Sequence, residues 1–272
     1  MEKKLFFVFF FLQILRGSAQ GTVTSLLPDS MPLNDAEKKG WILIFQDEFD
    51  GDTLDTQKWW CQEGLHDTEL QYYRNHKENV FVKNGFLHIK AIRDTFKNMP
   101  YTSALLMSSK NFDRESLVEV RCKIPKGKGV WPAFWFWRGA RDSTYQEIDA
   151  FEFWCDNTQR FSVSNHYWDK AKQMVSTNFK WVRPRNAQGQ NVDMSKEFFV
   201  YAAYWDDKNI KLMLNNRLAV TLKDNVPIAP FPIILNLAVD GGKGKIPDKN
   251  TIFPAEFIID YVRVYKRNPL SK

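Results

Sequence analysis

The apolar and polar residues of this chain alternate with a period of two over much of its length after residue 40. In LVEVRCKI (117–124) every second residue is apolar and charged residues stand between them, FLHIKA (86–91) alternates in the same way, and FIIDYVRVYK (257–266) indicates a further strand. A period of two is typical of a β-strand that buries one face, because successive side chains point to opposite sides. These segments therefore predict strands that pack against a core.

KLMLNNRLAVTL (211–222) predicts two short strands joined by a tight turn at Asn215–Asn216, because asparagine tolerates the positive φ angles that such a turn needs. Helical periodicity of useful length is scarce. We therefore expect an all-β fold, in which two antiparallel sheets pack face to face as a β-sandwich of jelly-roll type. No repeat and no linker rich in Pro, Gly or Ser interrupts residues 41–268, which favours one domain.

The N-terminus has the pattern of a secretory signal peptide over residues 1–19. Lys3 and Lys4 precede an 11-residue apolar run, Leu5–Leu15, and small residues follow, with cleavage expected after Ala19. The run is too short to span a bilayer, which needs about 20 residues. We expect a secreted, periplasmic or cell-surface protein without a transmembrane span, with a retained N-terminal anchor as the alternative. Residues 20–40 are polar and rich in turn formers, and predict a leader segment.

The composition excludes a disordered chain, because 44% of the residues are hydrophobic and 15% are aromatic. The formal net charge is only +6, and no stripe of basic and aromatic residues is present, so nucleic-acid binding is not expected. Three cysteines leave room for one disulfide and a free thiol, and their wide spacing shows no metal-site pattern. We expect a monomer.

TYQEIDAFEFW (144–154) places three carboxylates, Glu147, Asp149 and Glu152, within six positions. In a regular strand Glu147 and Asp149 share a face, whereas Glu152 would point into the apolar face. Burying a lone carboxylate there is costly. We therefore predict a β-bulge at Ala150–Phe151, because one extra residue returns Glu152 to the polar face.

Three carboxylates on one side of a strand repel one another, and this repulsion separates their pKa values. A retaining glycosidase needs such a difference, because one ionised carboxylate attacks the sugar while a protonated one donates to the leaving oxygen. The motif by itself leaves two alternatives open. They are a solvated strand face and a cradle for calcium, since hard cations bind clustered carboxylates.

EIDAFE resembles the active-site strand of family 16 of the glycoside hydrolases, in the form that carries the extra bulge residue. Other stretches resemble the same family in the same order: FQDEFDGDTLDTQKW (45–59), TELQYYRNHKENVFVKNGFLHIKA (68–91), YTSALLMSSKNF (101–112), VEVRCKIPKGKGVWPAFWFW (118–137), ILNLAVDGG (234–242) and IDYVRVYKR (259–267). The resemblance implies a curved sandwich with a concave cleft for a polysaccharide, endo cleavage with retention, and no cofactor for catalysis.

By position, the resemblance implies that Glu147 is the nucleophile, Asp149 the assisting acid and Glu152 the general acid/base, with a raised pKa. The positions that resemble cleft residues and imply substrate binding are Trp131, Trp135, His166 and Asn236. For Trp135 a place in the core is the alternative, and for His166 a structural role. The positions that resemble a structural calcium site on the convex side are Glu48, the carbonyl of Gly85 and Asp260.

ELQYY, ENVFVKNG and KGKGVWPAFW most resemble the endo-β-1,3-glucanases (laminarinases) of the family. Leu105 stands where those enzymes usually have arginine, and Lys243 and Lys245 stand where they tend to carry a tryptophan. The added cations would suit a red-algal galactan of agarose, porphyran or carrageenan type, unless they are only solvated loop charges. A transglycosylase and a non-catalytic lectin are further alternatives, although a lectin would not need the three acids.

Overall fold

The computed structural model describes residues 22–26, 40–66, 68–139, 143–223, 225–242 and 245–268. The first sheet has eight strands, in the spatial order β1 (Thr22–Leu26), β13 (Met174–Arg185), β12 (Phe161–Asp169), β11 (Gln146–Glu152), β10 (Val130–Arg138), β17 (Phe231–Val239), β8 (Leu105–Phe112) and β3 (Trp59–Gln62). The predicted signal segment lies outside the described residues. Part of the predicted leader forms β1, which runs parallel to β13 at the sheet edge.

The second sheet has the spatial order β16 (Arg217–Leu222), β15 (Ile210–Leu214), β14 (Phe199–Trp205), β9 (Ser116–Lys123), β18 (Ala255–Arg267), β6 (Phe86–Ala91) and β5 (Val80–Lys83), and β2 (Trp41–Asp47) also pairs with β18. A small parallel pair is formed by β4 (Gln71–Tyr73) and β7 (Tyr101–Ser103). None of the described residues lies in a helix, so none forms a helix that could span a membrane. The predicted antiparallel sandwich is confirmed.

Aromatic rings from both sheets fill the space between them. Phe134 on β10 and Phe151 on β11 are fully buried, and Phe151 lies 4.5 Å from the ring of Tyr201 on β14. Each such ring removes a large apolar area from water, which makes aromatic pairs strong contributors to a core. The alternation along each strand thus divides its side chains between this core and the outer face of its sheet.

The predicted strands are present at β6, β9 and β18. The predicted hairpin is also confirmed, since Asn215 and Asn216 join β15 to β16 with φ angles of 47° and 62°. All three cysteines are free in this structure, so none of them forms a disulfide within the chain.

Candidate active site

The predicted bulge in β11 is present. Asp149 pairs with Ser164 of β12 while Glu152 pairs with Ser162, so two residues of β11 oppose one residue of β12. Phe151 is turned into the core by this extra residue, and Glu152 lies on the outer face with Glu147. The bulge therefore brings the three acids to one side of the sheet.

The outer side of the first sheet, here called the site face, is crossed by rows of cross-strand neighbours. The row through Glu152 contains Trp181, Ser162, Glu152, Ala133, Asn236 and Leu105. The next row contains Phe179, Ser164, Asp149, Trp135, Ile234 and Met107, and the third contains Thr177, His166, Glu147 and Trp137. Each of the three acids thus occupies the β11 position of a separate row.

Asp149 is the most deeply buried of the three acids, with 3% of its surface exposed, and it is held by two neighbours on β12. The hydroxyl of Ser164 donates to Asp149 Oδ2 over 2.5 Å, and Nε2 of His166 lies 3.0 Å from the same oxygen. The other ring nitrogen, Nδ1, lies 2.8 Å from Thr177 Oγ1. These contacts fix the imidazole and the central carboxylate in one arrangement.

Glu152 is placed to hold a proton at neutral pH. Burial raises the pKa of Glu152 to about 8, and the negative charges of Asp149 and Glu147 add to the rise, while His166 and the hydrogen bond from Ser162 oppose it. Ser162 Oγ lies 3.3 Å from Glu152 Oε2. A carboxyl group that stays protonated near pH 7 beside other carboxylates has the property that a general acid requires.

His166 carries a positive charge beside these acids. Its burial by itself lowers the pKa, but the hydrogen bond to Asp149 and the charges of Glu147, Asp149 and Glu152 outweigh burial and raise the pKa to about 9. At neutral pH the imidazolium therefore balances part of the negative charge of the site. His166 acts on Asp149 at short range, which supports a positioning role.

The metal-cradle interpretation has some geometric basis. One ligand atom from each of Glu147, Asp149 and His166 lies within 4.8 Å of the other two. However, both ring nitrogens of His166 are engaged, with Asp149 and Thr177, and a protonated imidazole has no lone pair for a metal. In this arrangement the cluster is better suited to proton transfer than to metal binding.

Trp135 and Asn236 meet on the site face, but in different roles. Nε1 of Trp135 donates to Asn236 Oδ1 over 2.8 Å, and Asn236 Nδ2 donates to the hydroxyl of Tyr73 over 2.8 Å. The Tyr73 hydroxyl also hydrogen-bonds Glu69. Asn236 is 5% exposed and uses both ends of its amide, so it holds Trp135 in place from below. Trp135 is half-buried on the site face rather than in the main core.

Leu105, the position where an arginine is usual, is 1% exposed. It forms a small apolar cluster with Tyr73, Met107 and Ile234, against which Trp135 packs. The cluster supports the ring of Trp135 from the side opposite the acids. Leu105 therefore contributes packing at a place where an arginine would contribute a charge.

Trp131 belongs to an aromatic cluster, defined as Trp131, Trp154, Trp181 and Phe179, at the Glu152 end of the site face. Trp131 and Trp154 stack with ring centroids 5.5 Å apart, and Trp154 and Trp181 meet edge to face at 5.6 Å. All four rings are partly exposed. Partly exposed rings at this place, beside Glu152, can stack on the apolar faces of sugars.

Two cations lie on this cluster. Nζ of Lys245 lies 4.3 Å from the ring centroid of Trp154 and 3.7 Å from Asp240, and the guanidinium of Arg160 lies 4.2 Å from the ring centroid of Trp181. Lys245 thus packs on an aromatic ring and pairs with a carboxylate. It is therefore not merely a solvated charge in a loop. Lys243 lies outside the described residues.

The carboxylates expected to bind calcium pair with arginine side chains instead. Arg263 forms a two-pronged ion pair with Glu48, with N–O distances of 2.8 Å and 2.9 Å, and Arg121 pairs with Asp260. Gly85 follows Asn84 in the β5–β6 turn, with a φ angle of 76°. Calcium needs carboxylate oxygens that are free of such cations. In this arrangement Glu48 and Asp260 do not fit a calcium site.

Sequence reasoning did not single out Ser162, Ser164 and Thr177, which hold the acids and the histidine. The alternation in FSVSNHYW (161–168) carried the signal, because Ser162 and Ser164 share a face with His166. Tyr145 was also not predicted from the sequence, although its hydroxyl donates to Glu147 Oε2. Tyr145 lies two positions before Glu147 and therefore on the same side of the strand.

A carboxyl group with a raised pKa and a second carboxyl group on one strand, beside partly exposed aromatic rings, form the kind of arrangement that a glycosidase uses. Residues 67–245 match the family described as Glycosyl hydrolases family 16. The chain therefore belongs to this family of hydrolases, which confirms the resemblance seen in its sequence.

Individual relatives agree with the family. The glucan endo-1,3-beta-glucosidase A1 of Niallia circulans is 34% identical over 267 residues, which cover 84% of this chain and 38% of that protein. The endo-beta-1,3-glucanase structure from Pyrococcus furiosus has a TM-score of 0.70 and 29% identity, covering 84% of this chain and 95% of that one. A structure described under endo-acting O-glycanases of the human gut microbiota that initiate mucin breakdown has a TM-score of 0.74 and 28% identity, covering 85% and 92%.

Proposed function

We propose that this protein is a retaining endo-glycoside hydrolase that cleaves β-1,3-glucan of the laminarin type. The observation that carries the proposal is the placement of Glu147, Asp149 and Glu152 on one side of the bulged strand, with the pKa of Glu152 raised to about 8. The choice of glucan is supported by the relatives from Niallia circulans and Pyrococcus furiosus, which are named as endo-β-1,3-glucanases.

In the first step, a carboxylate oxygen of Glu147 attacks the anomeric carbon of the sugar. The bond from that carbon to the glycosidic oxygen breaks, and the oxygen takes the proton of Glu152. In the second step, the Glu152 carboxylate removes a proton from water, and the water oxygen replaces Glu147 at the anomeric carbon. The configuration is inverted twice and is therefore retained.

Asp149 and His166 support this cycle without a bond to the sugar. The negative charge of Asp149 is one of the causes that raise the pKa of Glu152, while the imidazolium of His166 lowers it. The two charges oppose each other, so together they tune the acidity of Glu152 between its two roles. The hydrogen bonds from Ser164 and His166 hold Asp149 in the row between the other two acids.

Trp135 and the aromatic cluster line the site face on both sides of the acids and are the proposed sugar contacts. A polymer that lies along these rings can bind at several sugar units at once, and this would place an internal linkage at Glu152 and favour endo cleavage. Asn236 would act through Trp135, because its own amide is buried and engaged.

A second candidate substrate is a galactan or mucin-type glycan with acidic substituents. Lys245 on the aromatic cluster and Leu105 in place of an arginine depart from the pattern expected of a glucanase, and Arg160 adds a second cation to the cluster. One structural neighbour is described as belonging to enzymes that initiate mucin breakdown. Because Asp240 neutralises Lys245, the positive charge at this end is small, and the glucan remains the first choice.

Residues 1–19, which lie outside the described part of the chain, support export to the periplasm, the cell surface or the medium. N-terminal sequencing of the exported protein tests cleavage after Ala19 against a retained anchor. A monomer remains an expectation. A structural calcium ion remains a prediction of the family resemblance, and the pairs that Glu48 and Asp260 form with arginine would have to open before it could bind.

The test uses purified protein on laminarin, mixed-linkage glucan, agarose, porphyran, carrageenans and mucin, with separation of products by size. Laminarin oligosaccharides are expected, and cleavage of an acidic glycan alone would favour the second candidate. Glu147→Ala should lose at least about a thousandfold in kcat, and added azide should restore turnover with a glycosyl azide of inverted configuration. Activity of Glu147→Ala within tenfold of wild type would contradict the proposal.

Assays on the same purified protein distinguish hydrolysis from transglycosylation and from lectin function. Product analysis at high oligosaccharide concentration shows whether sugar replaces water as the acceptor. A lectin would bind one of these polysaccharides without releasing any reducing ends, and Glu147→Gln would then bind and behave as the wild type does.

A further inference from the structure

Tyr145 stands directly before β11, with its hydroxyl directed at the site. The hydroxyl donates a hydrogen bond to Oε2 of Glu147, and the side chain is 7% exposed. Because residues i and i+2 share a side of a strand, Tyr145 lies next to Glu147 on the site face.

The backbone around Tyr145 is held on several sides. The amide of Trp168 on β12 donates to the carbonyl of Tyr145 over 3.2 Å, and the side chain of Gln146 accepts from the amide of Ile228 over 3.2 Å. Gly139 packs so closely on Thr144 that an added Cβ would lie 2.4 Å from the Thr144 carbonyl oxygen. The backbone at the start of β11 is thus held by β12, by Ile228 and by the close approach of Gly139 to Thr144.

We propose that Tyr145 is a positioning residue for the nucleophile, which orients Glu147 and favours its ionised form. This inference rests on the proposed function, because it takes Glu147 as the attacking group. A hydroxyl that donates to a carboxylate stabilises the charged form and restricts the rotation of the side chain. With Oε2 held by Tyr145, the other oxygen, Oε1, is directed to the anomeric carbon.

The hydrogen bond also bears on the second half of the reaction. When Oε1 bonds to the anomeric carbon, Glu147 becomes an ester and Oε2 loses its negative charge, so the hydrogen bond weakens. When water displaces Glu147, the electron pair of the broken bond returns to the carboxylate and the hydrogen bond regains its strength. Tyr145 therefore assists the departure of Glu147 and release of the product.

Charged groups on two strands lie beside Glu147. Asp149 and Glu152 lie on β11 and His166 faces Glu147 from β12, while β10 places the uncharged Trp137 opposite. Asp149 and Glu152 disfavour a negative charge on Glu147, whereas the positive charge of His166 favours it. Tyr145 adds a short-range neutral donor that does not change the net charge of the site.

The experiment compares Tyr145→Phe with wild type by measuring kcat and KM on the cleaved polysaccharide from pH 4 to 9. We expect kcat to fall about tenfold with KM unchanged, and the acid limb of the kcat/KM profile to move up by about one pH unit. Loss of the hydroxyl leaves the ring and its packing, so the thermal midpoint should change little. Tyr204→Phe, at a similarly buried tyrosine of β14, should match the wild-type profile.

The result that would overturn the inference is a Tyr145→Phe profile that superimposes on wild type. An equal fall in activity at every pH with a lowered thermal midpoint would also overturn it, because the role would then be structural. Glu147→Ala separates the two proposals: if this variant stays active, the proposed function fails. If Glu147 is essential and Tyr145→Phe behaves as wild type, only the role of Tyr145 fails.

Discussion

Glu152→Gln should stabilise the protein at neutral pH while abolishing hydrolysis. The pKa of Glu152 is raised from 4.5 to about 8, mainly by burial. The folded protein therefore keeps a proton that the unfolded chain releases in this window. Stability linked to Glu152 is fully present below pH 4.5 and is lost as the pH rises towards 8.

The size of the effect follows from the shift. Each pH unit above 4.5 lowers the free energy of unfolding of wild type by about 1.4 kcal/mol. At pH 6.5, two pH units higher, the loss is about 3 kcal/mol. Glutamine has no proton to release and can still accept the hydrogen bond from Ser162. For a domain of about 230 residues this difference corresponds to about 6–12 °C in the thermal midpoint.

Thermal melts of both proteins at intervals from pH 4.5 to 8 measure the effect, with urea unfolding as a second measure. The difference in midpoint should be small at pH 4.5 and grow steadily towards pH 8. The pKa of His166 is raised to about 9, partly by the charge of Glu152, so stability linked to His166 is lost above pH 6.5 by different amounts in the two proteins. The comparison is therefore cleanest between pH 4.5 and 6.5, where His166 stays protonated in both. Glu197→Gln, at an exposed carboxylate, serves as the matched control.

A constant difference between Glu152→Gln and wild type over the whole range would refute this reasoning. It would mean that Glu152 releases its proton at the same pH in the folded and unfolded protein. The raised pKa, and with it the general-acid role at neutral pH, would then lose its physical basis.

Three further predictions concern the surroundings of the acids. Asn236→Ala removes the acceptor of the Trp135 indole and should raise KM about threefold to tenfold with little change in kcat, as measured by steady-state kinetics. His166→Gln removes a charge that lowers the pKa of Glu152, so the basic limb of the kcat/KM profile should move to higher pH. Adding EGTA should shift the thermal midpoint by less than about 1 °C, since arginines already neutralise Glu48 and Asp260; a drop of several degrees would indicate bound calcium.

Local patterns along the chain were enough to predict much of this structure. Alternation identified β6 and β9, the Asn215–Asn216 pair identified a hairpin, and the spacing of Asp149 and Glu152 required a bulge. Each of these inferences depends on residues within about ten positions of one another. The direction of a side chain relative to its neighbours in a strand follows from backbone geometry alone.

Partners across the fold were decided only by the tertiary structure. Asn236 was expected to contact sugar, but its amide is engaged by Trp135 and by Tyr73, which is 163 residues away along the chain. Glu48 was expected to bind calcium, but it pairs with Arg263, which is 215 residues away. The sequence determined which residues face the site, because facing is a local property of a strand. It did not determine what each side chain binds, because that depends on how distant strands align in register and on which neighbour satisfies a buried polar group.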